Sequence, residues 1–112
     1  MRSAEVYYNG EKAGVLTEES RNKYRFRYDD AWFINDRKPP VSLTLPKNLQ
    51  EYEDDRLFPF FFNMLSEGSN RMLQSRMLRI DEKDYFGLLM ATAGVDTIGA
   101  ITITPVLQNE GE

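Results

Sequence analysis

Neither cysteine nor histidine occurs anywhere in the chain. The lack of cysteine excludes a disulfide framework and a thiolate metal site. The lack of histidine removes the commonest general base and the commonest metal ligand. A metal site would need carboxylates alone, and no Asp-rich calcium-loop pattern is present, so neither metal nor cofactor is expected. Long apolar runs are also missing. None reaches the length of a membrane span, and the N-terminus has no apolar signal-peptide core, so a soluble, cytoplasmic protein without a membrane partner is expected. Gly10, Gly14, Gly68, Gly87, Gly94 and Gly99 are scattered and form no phosphate loop. No Gly-x-Ser-x-Gly elbow exists, and carboxylates alone do not reveal a converging pair. The expectation is a protein that is not an enzyme. Positive charge is in deficit too, with 14 Lys+Arg against 18 Asp+Glu and a net charge of −4. Nucleic-acid affinity comes mainly from neutralising phosphates, so no direct nucleic-acid binding is expected.

What is present is one domain of 112 residues, large enough to bury a core without staples. It is read as residues 1–107 followed by a polar tail, 108–112. The densest apolar stretch is 57–80, LFPFFFNMLSEGSNRMLQSRMLRI. Leu57, Phe58, Phe61, Phe62 and Leu65 recur at helical spacing and predict one wide apolar stripe facing a core. Pro59 suits the first turn of that helix. Beyond a polar break, Leu73, Met77 and Ile80 repeat at three and four and predict a second core-facing helix. Gly68 reads as the stop of the first helix, and Ser69 or Asn70 as the cap of the second.

Upstream, residues 5–17 predict a β-hairpin around Asn9-Gly10, with a connection longer than two residues because the return strand begins near Gly14. Glu18 to Lys23 reads as a polar loop. Tyr24, Phe26 and Tyr28 alternate with Arg25 and Arg27, which predicts a half-buried strand with one wet face. The two arginines also fit a nucleic-acid stripe with interleaved aromatics, against which the acidic total argues. Residues 31–34 form a short helix or an irregular turn, and Trp32 is either a packing residue or a partner-binding anchor. Val41, Leu43 and Leu45 alternate with Ser42 and Thr44 and predict a strand. The acidic residues of 47–56 read as a solvated loop or a docking strip. A third helix follows Asp81-Glu82-Lys83-Asp84 and stops at Gly94, and a last strand spans about Ile98 to Thr104. Strands first, then three helices, then a closing strand predict an α+β fold: an antiparallel sheet of about five strands with three helices packed on one side.

These residues also carry a family resemblance. Val6-Tyr7-Tyr8-Asn9-Gly10 with Gly14-Val15-Leu16, Phe26-Arg27-Tyr28-Asp29, Leu43-Thr44-Leu45-Pro46, Pro59-Phe60-Phe61 through Leu65 with Glu67-Gly68 and Arg71, and Asp84, Phe86-Gly87-Leu88-Leu89, Asp96 and Ile98-Gly99-Ala100 occur in this order. Together they resemble the N-terminal subdomain of HipA-type serine/threonine toxin kinases over nearly the whole chain. Ser66 departs from the proline that the family usually places before Glu-Gly. The kinase core that follows in that family has no counterpart in these residues. The chain therefore resembles HipS, the small subunit of the three-gene HipBST arrangement. The resemblance implies an antitoxin that inhibits a HipT-like kinase in trans, in a ternary complex with a HipB-like DNA-binding protein. The expected kinase-binding residues are Ser66, Glu67, Gly68, Ser69, Asn70, Arg71 and Met72, presented between two helices toward the nucleotide cleft. A pair of helix caps without a partner is the alternative, and Glu67 and Arg71 are spaced to pair locally. The non-catalytic lobe of a two-domain kinase and a small nucleic-acid-binding module remain the competing functions.

Overall fold

Asn9 and Gly10 both take left-handed backbone, with φ of 51° and 84°. Such a pair makes a two-residue turn of type I′, whose twist matches that of the strands it joins. The turn opens a computed structural model that describes residues 2–65, 68–92 and 100–106, without the side chains of 68–71. β1 (Arg2–Tyr8) and β2 (Glu11–Ser20) pair directly across it, Tyr8 opposite Glu11. The longer connection expected from the sequence is therefore corrected. Glu11 and Lys12 are strand residues despite their charge. Ala13 is an extra residue in the ladder, since Val6 faces Gly14 while Tyr7 faces Lys12. The expected loop at 18–23 shrinks likewise: β2 runs to Ser20, and β3 (Lys23–Tyr28) starts after Arg21-Asn22.

Next come α1 (Asp30–Ile34), β4 (Glu51–Asp54), α2 (Pro59–Phe62), α3 (Gly68–Leu78), α4 (Tyr85–Thr92) and β5 (Ile101–Pro105). The strands form one antiparallel sheet in the order β4-β3-β2-β1-β5. The fold is α+β, as the order of elements implied.

Alternation decides which face of the sheet is covered. Val6, Gly14 and Tyr28 are cross-strand partners, as are Ala4, Leu16 and Phe26, and Val6 also faces Ile103. All of these side chains are buried, and Phe61 of α2 and Phe86, Leu88 and Leu89 of α4 are buried with them. Phe26 meets Tyr28 edge-on at 4.9 Å and Phe61 at 5.7 Å, so aromatic packing joins β3 to α2. Trp32 is buried against Tyr8, and its Nε1–H donates to the Pro39 carbonyl at 2.9 Å. That is the packing role rather than an exposed anchor. The other face of the sheet is wet. Arg25 pairs with Glu19, Glu51 and Glu53, and Arg27 with Asp30 and Glu51.

Three further expectations are overturned. Val41–Leu45 is not a strand. Val41 and Leu45 are buried while Leu43, between them, is 93% exposed, and the Leu45 N–H bonds the Ser42 carbonyl at 3.0 Å. The backbone partner of this turn is a side chain. The Tyr28 hydroxyl accepts from the Val41 N–H at 3.0 Å and donates to the Leu45 carbonyl. The strand lies instead in the acidic segment, as β4, where Glu51 and Glu53 stand opposite Arg27 and Arg25. The first helix is short, Pro59–Phe62 with Pro59 in its first turn, and hydrogen-bonded turns carry the chain on to Leu65. Gly94, Ile98, Gly99 and the tail 108–112 lie outside the described residues.

Candidate functional site

Asp84 fixes the start of the last helix, α4. It precedes the first residue of α4, and its Oδ1 accepts the Gly87 N–H at 3.1 Å, which is the N-cap arrangement. The same carboxylate receives two bonds from Arg2, Nη2 to Oδ1 at 2.8 Å and Nη1 to Oδ2 at 3.1 Å. Arg2 also donates to Glu18 at 2.8 Å, and the Tyr24 hydroxyl reaches Glu18 at 3.1 Å. Arg2, Glu18 and Tyr24 are neighbours across β1, β2 and β3, so the sheet grips the start of α4 by one charged chain. A Cβ on Gly87 would lie 2.4 Å from Asp84 Oδ2, so only glycine leaves room for the capping carboxylate. The Arg2 guanidinium holds the Asp84 carboxyl below the usual carboxylate range, against the opposing effect of burial. Arg2 itself is shifted further upward by Asp84. Burial pushes the Tyr24 hydroxyl up to about 12.

This network forms one wall of a cleft of about 980 Å³, whose apolar side is made by Leu57, Pro59 and Phe62. Its chemistry is static. The guanidinium donors are committed, and a carboxylate held this firmly in the ionised form is neither acid nor base near neutrality. Among the described residues no cluster of acidic side chains is arranged to hold a metal ion. No described helix is long and apolar enough to cross a membrane.

α3 packs against α4 and carries most of the expected kinase-binding residues. Ser66 and Glu67 lie outside the described residues. Gly68 opens α3 rather than closing the preceding helix, and Gly68, Ser69, Asn70 and Arg71 occupy its first turn as backbone. Met72 follows as an exposed side chain. The helix is turned inside out relative to expectation. Leu73 and Met77 do not face the core: Leu73 is 56% exposed and Met77 is 74% exposed. Gln74 and Ser75 are the half-buried ones. Of the four exposed apolar side chains of α3, Met72, Leu73 and Met77 share an arc of about 140° at 3.6 residues per turn, and Leu78 lies off it. Helical spacing put Leu73 and Met77 on the wrong side, whereas Ile80, the third member of the expected row, is half-buried and packs against the core. The grip of Arg2 on Asp84 had only one sequence signal, Asp84 three residues before Gly87.

The fold and these residues can be set beside known proteins. The HipA N-terminal domain family matches residues 4–104. A solved N-terminal domain of HipA toxin superposes with a TM-score of 0.71 at 26% identity, covering 97% of this chain and 96% of that one. A protein of Haemophilus influenzae described only as uncharacterized is 32% identical over 103 residues, 92% of each chain. The putative kinase Y4mE of Sinorhizobium fredii is 29% identical over 105 residues, which are 94% of this chain but 25% of that protein. The chain thus spans about a quarter of the kinase relative and nearly all of the small one. With a match that runs from the first strand to the last, the chain belongs to the HipA N-terminal domain family.

Proposed function

We propose that this chain is a non-catalytic, HipS-like antitoxin: it binds a HipT-like serine/threonine kinase and silences it in trans. A HipB-like DNA-binding protein completes the complex. One observation carries the reading. The same domain recurs at nearly the full length of a small protein and as a quarter of a protein named a putative kinase. A module found both ways works beside a kinase, and its contact surface persists when the chains are separate. The static chemistry of the Arg2–Asp84 cleft supports a binding role over turnover. The charge-matched sheet face supports it over nucleic-acid binding, because the guanidiniums of Arg25 and Arg27 already face carboxylates.

Residues Ser66–Arg71 and Met72, of which Gly68 onward lies in α3, are the proposed contact with the kinase, acting as a steric block at its nucleotide cleft. The test is co-purification of the chain with the kinase, followed by a phosphorylation assay with and without it. Association and loss of phosphorylation are expected, and no association overturns the reading. Replacing Ser69 by Trp and Arg71 by Glu separates the details: unchanged inhibition removes this segment from the mechanism. The match to a quarter of Y4mE favours a second reading, a non-catalytic lobe of a longer kinase. A reading frame continuing into a kinase core supports that reading.

A further inference from the structure

Apolar side chains left outside the described core are mostly isolated, as Leu43 is at the tip of its turn. Met72, Leu73 and Met77 differ, since they lie in a row on one helix whose polar Gln74 and Ser75 turn inward. The charge on that helix is also unusual. From Gly68 to Ile80 there are three arginines, Arg71, Arg76 and Arg79, and no carboxylate, in a chain of net charge −4. Arg76 projects within the arc of the row, and Arg79 stands at the helix end. Among the described residues no carboxylate lies within ion-pair distance of either one, whereas Arg2, Arg25 and Arg27 each face two or more.

This combination defines what fits it. Flexible methionine and leucine side chains on a helix suit a groove, entered at one face. Exposed arginines without partners of their own suit a rim of opposite sign. We propose that α3 inserts its outward row into an apolar groove with an acidic rim on the kinase. The inference rests on the kinase-binding reading above and adds the surface and the chemistry of its partner. A symmetric contact between two copies is disfavoured, because it would bring two segments 68–80, each of charge +3, together. A lipid surface is disfavoured because the row holds no aromatic side chain to anchor at the headgroup level. In the complex the methionines and leucine govern dissociation, while Arg76 and Arg79 govern encounter.

The experiment measures association and dissociation rates of the full chain with the kinase across a range of salt concentrations. Met77→Asp, at so exposed a position, is expected to leave the thermal midpoint unchanged and to speed dissociation about tenfold. The double variant Arg76→Glu/Arg79→Glu is expected to slow association about tenfold and flatten its salt dependence. Leu43→Asp, at a still more exposed apolar position, is expected to behave as wild type. If wild type binds and the α3 variants bind equally well, the groove inference fails and the kinase reading stands. If wild type does not bind at all, both fall. If Met77→Asp instead dissolves a dimer of the chain, or abolishes flotation with phosphatidylserine vesicles, the row belongs to a second copy or a membrane and the inference is overturned.

Discussion

Tyr28 illustrates how one side chain does work that its position in a pattern does not reveal. Its ring is an inward residue of an alternating strand, which the sequence makes plain. Its hydroxyl closes a loop by accepting from Val41 and donating to Leu45. Tyr28→Phe keeps the ring and leaves a buried N–H and a buried carbonyl without a partner. The expected cost is about 2 kcal/mol by denaturant titration, and an unchanged midpoint would show that water replaces the hydroxyl. Burial also pushes this hydroxyl up to about 12, whereas an unfolded tyrosine ionises near 10. The unfolded chain therefore releases protons first as pH rises, and stability falls from about pH 10 upward, less steeply in Tyr28→Phe. Asp84 gives the opposite limb. Its folded pKa is depressed, so its contribution is present above the unfolded value, about 3.9, and is lost as pH falls through the folded value. Asparagine caps a helix about as well as aspartate, so Asp84→Asn isolates the charge. It is expected to lower the midpoint at pH 7 and to match wild type in strong acid. A pH-independent difference would assign the effect to packing.

At the scale of the element, α3 ends on a strained residue. Arg79 has φ of 58°, Ile80 N–H returns to the Ser75 carbonyl at 3.0 Å, and Arg79 N–H points to the Arg76 carbonyl. This is the Schellman closure, in which the left-handed position normally falls to glycine. Arg79→Gly relieves the side-chain penalty and is expected to stabilise the chain by about 0.5–1 kcal/mol. A drop in the thermal midpoint would mean that the arginine side chain contributes more to the helix end than its strain costs. Elements also mark the boundary of what the sequence makes legible. The strands of the hairpin and β3 could be read because turn chemistry and alternation agreed. The segment 41–45 alternates equally well, yet alternation reports which side chains face alike and says nothing of where the backbone bonds go. A tyrosine hydroxyl took the place of a neighbouring strand. β4 was hidden for the converse reason, since an edge strand that pairs by charge looks like a loop. In α3 the spacing grouped Leu73 with Met77 correctly, though Ile80, read with them, packs against the core instead. Whether that side meets its own domain or another surface depends on tertiary packing, which the local pattern does not encode.

The whole molecule is a well-buried sheet with one helix that adds little to its core. β1, β2, β3 and β5 supply buried side chains to a single cluster together with α2 and α4, while no described side chain of α3 joins it. Free energies of local opening follow the apolar contacts that hold a segment down. Amides of residues 74–78 in the free chain are therefore expected to exchange by local opening, well ahead of those in β1 and β2, which require global unfolding. Hydrogen exchange followed by mass spectrometry or NMR measures this directly. Equal protection of α3 and the central strands would mean that α3 is an integral part of the cooperative unit, and the burial argument would be wrong. Adding the kinase extends the test. If the apolar row of α3 is where the partner sits, protection should rise there while the amides of the charge-matched β3–β4 edge stay as they were. An increase at β3–β4 instead would place the contact on the sheet and leave α3 as a helix that the fold merely tolerates.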